Sequence, residues 1–163
     1  MKQSPTLVLT AAVLSLAALG CRPDLTVNVD ARSAYQDEED VRGTVFANVE
    51  NVGSAAAAGT ASAGASGYMV DLVLSTDGTV PVAFATVPSP YVFQDDMLLV
   101  GGRISNTVDL AAGASHNYDG HGGKLPPGTP TGSYLCAVVD PNNVIAESDE
   151  TNNTSCVQFK VVP

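Results

Sequence analysis

The sequence predicts an all-β fold, an antiparallel β-sandwich of about seven strands behind an export leader. Three observations carry this. Val, Ala, Gly, Thr and Ser are plentiful, Trp is absent and charged residues make up only 15 % of the chain, a balance that favours strands and turns over helices. Short stretches alternate apolar and polar residues between clusters of Gly, Pro, Asn and Asp, the pattern of half-buried strands joined by turns. No strong amphipathic helix interrupts them, which leaves sheet-on-sheet packing as the layer architecture.

The leader comes first. Lys2 is the only charge in residues 1–20, and an apolar run of Leu, Val and Ala follows it, as in a secretory signal peptide. The run is shorter than the ~20 apolar residues a bilayer core requires. It ends in Ala18-Leu19-Gly20-Cys21, which resembles a bacterial lipobox. That resemblance implies cleavage before Cys21 and a diacylglycerol on its thiol, although Leu is commoner where Ala18 stands. One acyl chain is a marginal anchor and two or three are a stable one. The division expected is a signal peptide over 1–20 and one domain over 21–163. Arg22, in place of Asp after the Cys, points to the outer membrane or the periplasmic face by analogy with Gram-negative sorting.

Residues 24–34 alternate, with Leu25, Val27, Val29 and Ala31 on one side; residues 43–52 do the same, with Val45, Ala47 and Val49 inward. Residues 36–40 are a charged turn. Residues 54–67 are almost entirely Ala, Gly, Ser and Thr and read as a flexible loop, since Gly59, Gly64 and Gly67 argue against an Ala-rich helix. Residues 68–75 form a third strand and 76–78 a turn. The prolines in 81–90 confine that stretch to an edge or a loop. Residues 97–100 and 107–110 are short apolar pieces, 115–123 reads as a strand bent at its glycines, and 124–132 is a Pro/Gly-rich loop.

Residues 133–140 make the best strand in the chain, and 155–162 its natural partner. Cys136 and Cys156 are an even pair in an exported chain, and so are expected to form a disulfide. Val157, Phe159 and Val161 mark a core face, which puts Cys156, Gln158 and Lys160 on the other. Setting Cys136 opposite Cys156 then turns Leu135, Ala137 and Val139 inward. The bridge would join neighbouring antiparallel strands on the outer face and stabilise the fold by roughly 3 kcal/mol through loop closure. Tyr134, two residues before Cys136, is placed like a corner tyrosine.

The net charge is −10, and without Lys2 the chain carries 6 basic and 17 acidic side chains, or −11. Such a surface repels phosphate backbones and anionic headgroups, so neither nucleic acid nor a membrane gripped by a basic patch is an expected partner.

Several segments together are similar to the CARDB domain, a cell-adhesion-related, Ig-like domain of bacteria. They are Pro23-Asp24-Leu25, Asn51-Val52-Gly53-Ser54, Leu74-Ser75-Thr76-Asp77, Leu110-Ala111-Ala112-Gly113, Gly132-Ser133-Tyr134 and, most specifically, Asp140-Pro141-Asn142-Asn143-Val144-Ile145-Ala146-Glu147-Ser148-Asp149-Glu150-Thr151-Asn152-Asn153. The resemblance spans about residues 23–163. It implies a surface-located binding or adhesion module and brings no catalytic residues.

The acidic, Asn-rich segment 140–153 is the main candidate site. Asp140, Asn142, Glu147, Asp149 and Glu150 offer hard oxygens that suit Ca²⁺. Pro141 and the lack of a turn Gly depart from an EF-hand, and the competing reading is that these side chains hold the turns of a hairpin. No other cofactor is expected. His116 and His121 flank an Asp, but match no usual zinc spacing and would face opposite ways on a strand. Ser115 beside His116 is sequence adjacency without the geometry of a triad, and no nucleophile elbow, phosphate loop or dinucleotide fingerprint is present. The expectation is therefore a non-catalytic, surface-tethered module that binds an unknown protein or glycan, with an accessory subunit of an envelope complex as the alternative.

Overall fold

The structure is a computed structural model in which residues 20–31, 34–35, 41, 44–80, 95–119 and 123–161 are described. Residues 1–19 of the leader, the turn at 36–40, the proline stretch 81–90 and His121 lie outside the described residues.

Alternation builds the first layer. In β1 (Leu25–Ala31), the residues Leu25, Val27, Val29 and Ala31 are buried; in β3 (Val45–Asn51), Val45, Ala47, Val49 and Asn51 are. These two strands pair antiparallel from Leu25↔Asn51 to Ala31↔Val45, so the two apolar sets fall on the same face. β6 (Ser115–Asp119) pairs with the other edge of β3 and completes a three-stranded sheet in the order β1-β3-β6. Between β1 and β3, β2 (Ala34–Tyr35) makes a two-residue parallel pair with β9 (Lys160–Val161).

The second layer is a four-stranded sheet, β5-β4-β7-β8, of β5 (Asp96–Ile104), β4 (Val70–Ser75), β7 (Tyr134–Val139) and β8 (Thr154–Gln158). Its central strands are buried on both faces: all six residues of β4 are buried, as are five of the six in β7. Seven strands of five or more residues thus form two antiparallel sheets among the described residues, as the sequence predicts. Leu25, Val27, Val29, Val45 and Val49 from one sheet meet Val70, Leu72, Leu74, Leu99, Leu135, Ala137 and Val139 from the other in one core.

Cys136 stands directly opposite Cys156 in the β7–β8 register and is bonded to it, with the Cα atoms 4.0 Å apart. The predicted inward set Leu135, Ala137 and Val139 is buried, Phe159 is buried, and Val157 and Val161 pack at the core's margin. One expectation needs correcting. The outer face that carries the bridge is not a solvent face, because Val73, Val80, Leu98, Cys136 and Val138 form a second buried apolar cluster there.

Other departures have local causes. Residues 54–67 are anchored, not loose. They hold a single helical turn, α1 (Thr60–Ala63), followed by a 3-10 turn. The side chains are small, but hydroxyls and backbone do the anchoring: the Thr60 amide donates to Thr107 Oγ1 at 2.9 Å and the Gly59 amide to Asp109 Oδ1 at 2.8 Å. β5 is longer than the piece read at 97–100, and its register with β4 shifts between Asp71 and Val73, where the two glycines Gly101 and Gly102 follow Val100. A bulge of this kind hides a strand from a search for strict alternation. Residues 107–110 form no strand and make only an isolated bridge, Ala57↔Leu110.

Tyr134 is not the corner tyrosine. Its ring lies against Gly78, where an added Cβ would come within 3.0 Å of it. The buried tyrosine hydroxyls that bond backbone are those of Tyr68 and Tyr118. The Val108 amide donates to Tyr118 Oη at 3.0 Å, the two hydroxyls are 2.8 Å apart, and Tyr68 Oη donates to the Val108 carbonyl at 2.8 Å. This closed ring ties β6 to the entry of β4, and so one sheet to the other.

Candidate functional site

The segment 140–153 runs from the end of β7 to the start of β8. Two turns shape it at its first half, with Asp140 at φ 47° and Asn143 at φ 50°; Asp and Asn tolerate this left-handed region better than other side chains. Asp140 Oδ2 accepts from the Ile145 amide at 2.7 Å, while the Asp140 amide donates to the Met69 carbonyl at 2.9 Å. In the second half, Asp149 Oδ1 accepts from the Thr151 amide at 2.9 Å and Glu150 Oε1 from the Glu147 amide at 2.9 Å. These are side chains holding turns, the competing reading of the motif.

Glu147 does something the sequence did not disclose. It points inward and is only 3 % exposed. Oε2 accepts from the Leu25 amide, and Oε1 accepts from Asn153 Nδ2 at 2.9 Å. Burial pushes its carboxyl up to about 7, against the opposing pull of those two hydrogen bonds. Burial likewise raises Asp140, whereas the Thr151 hydroxyl lowers the exposed Asp149.

Leu25 opens β1, so Glu147 grips the first strand where it enters the sandwich. The residues before it are gripped as well. Asn152 Nδ2 donates to Asp24 Oδ1 at 2.7 Å, Ser148 Oγ to Asp24 Oδ2 at 2.8 Å, and the Ser148 amide to the Pro23 carbonyl at 3.0 Å. From the other side, the turn after β3 closes on the same segment. The Val52 amide donates to the Asp24 carbonyl at 2.8 Å, and the Ser54 and Ala55 amides to the Arg22 carbonyl at 2.8 and 3.1 Å. Asn51, fully buried, accepts from the Asp24 amide at 3.1 Å. Gly53 is required by contact: a Cβ there would lie 2.5 Å from both the Arg22 carbonyl oxygen and the Asp24 amide nitrogen. Residues 22–25 are thus clamped between two loops, and the exposed Cys21 is the residue immediately outside.

The five residues read as a Ca²⁺ set are therefore divided. Asp140 and Glu147 are buried and bonded to the fold, Asn142 and Asp149 are exposed, and Glu150 caps a turn. Among the described residues, no group of three or more His, Cys, Asp or Glu side chains is placed to hold a metal ion. Ser115 and His116 are exposed neighbours on edge strand β6, and the His116 ring lies 4.6 Å from that of Tyr118. Adjacent strand residues point to opposite faces, so these two do not form a nucleophile–base pair. Another buried ionic feature, Asp71 with Arg103, joins β4 to β5, with Arg103 Nε 2.8 Å from Asp71 Oδ1. Burial raises Asp71 and the guanidinium pulls it back.

The sequence reading missed Asp24, Asn51, Gly53, Asn152 and Asn153. Their signal lay in the co-occurrence of Pro23-Asp24-Leu25, Asn51-Val52-Gly53-Ser54 and the 140–153 motif, three segments that meet at one end of the sandwich.

Comparison with solved structures is consistent with this fold. The solution structure of the CARDB domain of PF1109 from Pyrococcus furiosus is similar with a TM-score of 0.50 and 18 % identity, covering 86 % of this chain and 96 % of that one. The crystal structure of the same domain, in complex with di-metal ions, has a TM-score of 0.47 and 17 % identity, covering 86 % and 90 %. No curated protein sequence matches. Residues 22–157, from the first clamped residue to the penultimate residue of β8, match the CARDB family model, and the chain belongs to the CARDB family.

Proposed function

We propose that this chain is a non-catalytic binding module of the bacterial cell envelope, held to the membrane by lipid on Cys21. CARDB membership supports a binding module in general. The observation that carries the tether is the clamp: Cys21 is exposed, and the residue after it already has a carbonyl fixed by two amides. A short, fixed connection would keep an acylated domain close to the membrane. The partner is a protein or a glycan, since a chain of net charge −10 repels nucleic acid. On this reading the 140–153 motif serves as a clamp formed by the protein's own hydrogen bonds, without Ca²⁺.

Two measurements test this reading. Metabolic labelling with an alkynyl fatty acid should mark the wild type and not Cys21→Ser; an unmarked wild type sinks the tether. Crosslinking and pull-down from intact envelopes should recover surface protein or glycan. Recovery of one fixed partner in constant ratio would favour the accessory-subunit reading instead. A melting temperature that rises with Ca²⁺ and falls with chelator would overturn the metal-free clamp.

A further inference from the structure

We propose that the end of the sandwich from which Cys21 emerges rests on a zwitterionic lipid surface, with Val52 and Val144 entering the interface. This rests on the tether reading and adds an orientation and a contact face to it.

The first argument is placement. Leu25 pairs with Asn51, so the turn at Val52 lies beside Pro23 and Asp24. The segment 140–153 meets the same residues through Ser148 and Asn152. The crossing from β5 to β6 passes this end too, since Ile104 pairs with Val70 and the Gly113 amide donates to the Asn51 carbonyl. The exposed large hydrophobics among the described residues are Val52 at 52 %, Val100 at 45 %, Val144 at 41 % and Val108 at 37 %. Val100 lies within β5 and Val108 on the β5–β6 crossing, bonded to Tyr118 of β6, whereas Val52 and Val144 both lie at the Cys21 end. An isolated exposed Val needs no explanation. Their collection at the end that carries the membrane attachment does.

The second argument is reach. The Arg22 carbonyl and everything after it are fixed by the two loops. Only about one residue of free backbone, roughly 3.5 Å, then separates the acylated residue from the rigid body. The lipid cannot be inserted while this end stands far from the bilayer.

The third argument is charge, and it selects the lipid. Asp24, Asp109, Asp149 and Glu150 lie at this end, and of its two described cations, Arg22 and Arg103, the second is already paired with Asp71. Anionic headgroups would be repelled, so the surface that fits is uncharged overall and the contact is apolar.

The test uses lipidated protein purified from envelopes, with its N-terminus identified by mass, reconstituted in phosphatidylcholine vesicles. Spin labels at Val52→Cys, Val144→Cys and, at the opposite end, Thr131→Cys are compared for access to oxygen and to a water-soluble nickel chelate. The ratio should rise several-fold at 52 and 144 and stay unchanged at 131. Replacing half of the lipid with phosphatidylglycerol should diminish the rise. Hydrogen exchange of the unsubstituted protein provides a check free of added thiols: amides 51–56 and 142–146 should be slowed on vesicles, and those of 128, 129 and 131–133 should not. Equal water access at all three labels in protein of confirmed lipid mass, with no slowing, overturns the orientation and leaves the tether standing. A mature N-terminus without lipid overturns both.

Discussion

The two sheets face one core but are held by different means. The four-stranded sheet has a covalent rung at Cys136–Cys156, an ion pair between buried Asp71 and partly exposed Arg103, and apolar residues on both faces of its central strands. The three-stranded sheet is apolar on one face only, and Thr26, Asn28 and Asp30 alternate outward along its first strand. That strand is secured from outside the sheet by the 140–153 loop and the turn at Asn51–Ser54. The difference separates two kinds of stability. One sheet is braced internally, whereas the other depends on a clamp that also fixes the point where the chain enters the domain.

The largest expected effect is within the braced sheet. Asp71→Ala leaves the partly exposed Arg103 guanidinium without its buried partner and should cost about 3 kcal/mol in urea unfolding, the low end for a broken buried pair because water reaches the remaining charge. Asp71→Asn costing nothing would show that the charge is idle. Removing the bridge with Cys136→Ala and Cys156→Ala should cost about 3 kcal/mol. Amides of β7 and β8 should then exchange faster while the β1–β3 pairs hold; equal loosening of both sheets would erase the distinction.

In the clamped sheet, Glu147→Ala strands the Leu25 amide and Asn153 Nδ2, and should cost about 2 kcal/mol. It should release residues 22–25 to exchange before any other part of β1. Glu147 also sets a pH dependence. Its carboxyl is raised from an ordinary 4.5 to about 7, so the folded chain binds a proton that the unfolded chain has released. The stability this contributes is complete below about pH 4.5 and is lost as pH rises through about 7. Glu147→Gln should flatten that part of the stability profile, and an unchanged slope would assign it to another group. Smallest is Tyr118→Phe, which removes the acceptor for the Val108 amide and should cost about 1 kcal/mol.

The same contrast explains how far the sequence could be read. Strands with one wet face are legible: the alternation in residues 25–31 and 45–51 places every core side chain correctly. The β7–β8 register was legible too, because a disulfide and an inward Val/Phe face allow one alignment. The second apolar layer was not, since strand period alone does not say whether the outer face is covered. The 54–67 segment misled because its anchors are hydroxyls and backbone, which leave no hydrophobic signal. The clamp was least legible. Its partners Asp24 and Asn152 are 128 residues apart, and nothing local in an acidic loop distinguishes a carboxylate that faces water from one that takes a buried amide.

The entry clamp also has a mechanical consequence. A pull on Arg22 directed away from the domain runs along β1, and its hydrogen bonds to β3 lie across that direction through the seven pairs from Leu25↔Asn51 to Ala31↔Val45. The load is then shared as shear over the whole ladder and is not spent unzipping one rung at a time. Before the ladder feels it, the bonds from Ser54, Ala55, Ser148 and Asn152 must rupture. A domain built in this way resists drag best in the direction in which a surface anchor would apply it.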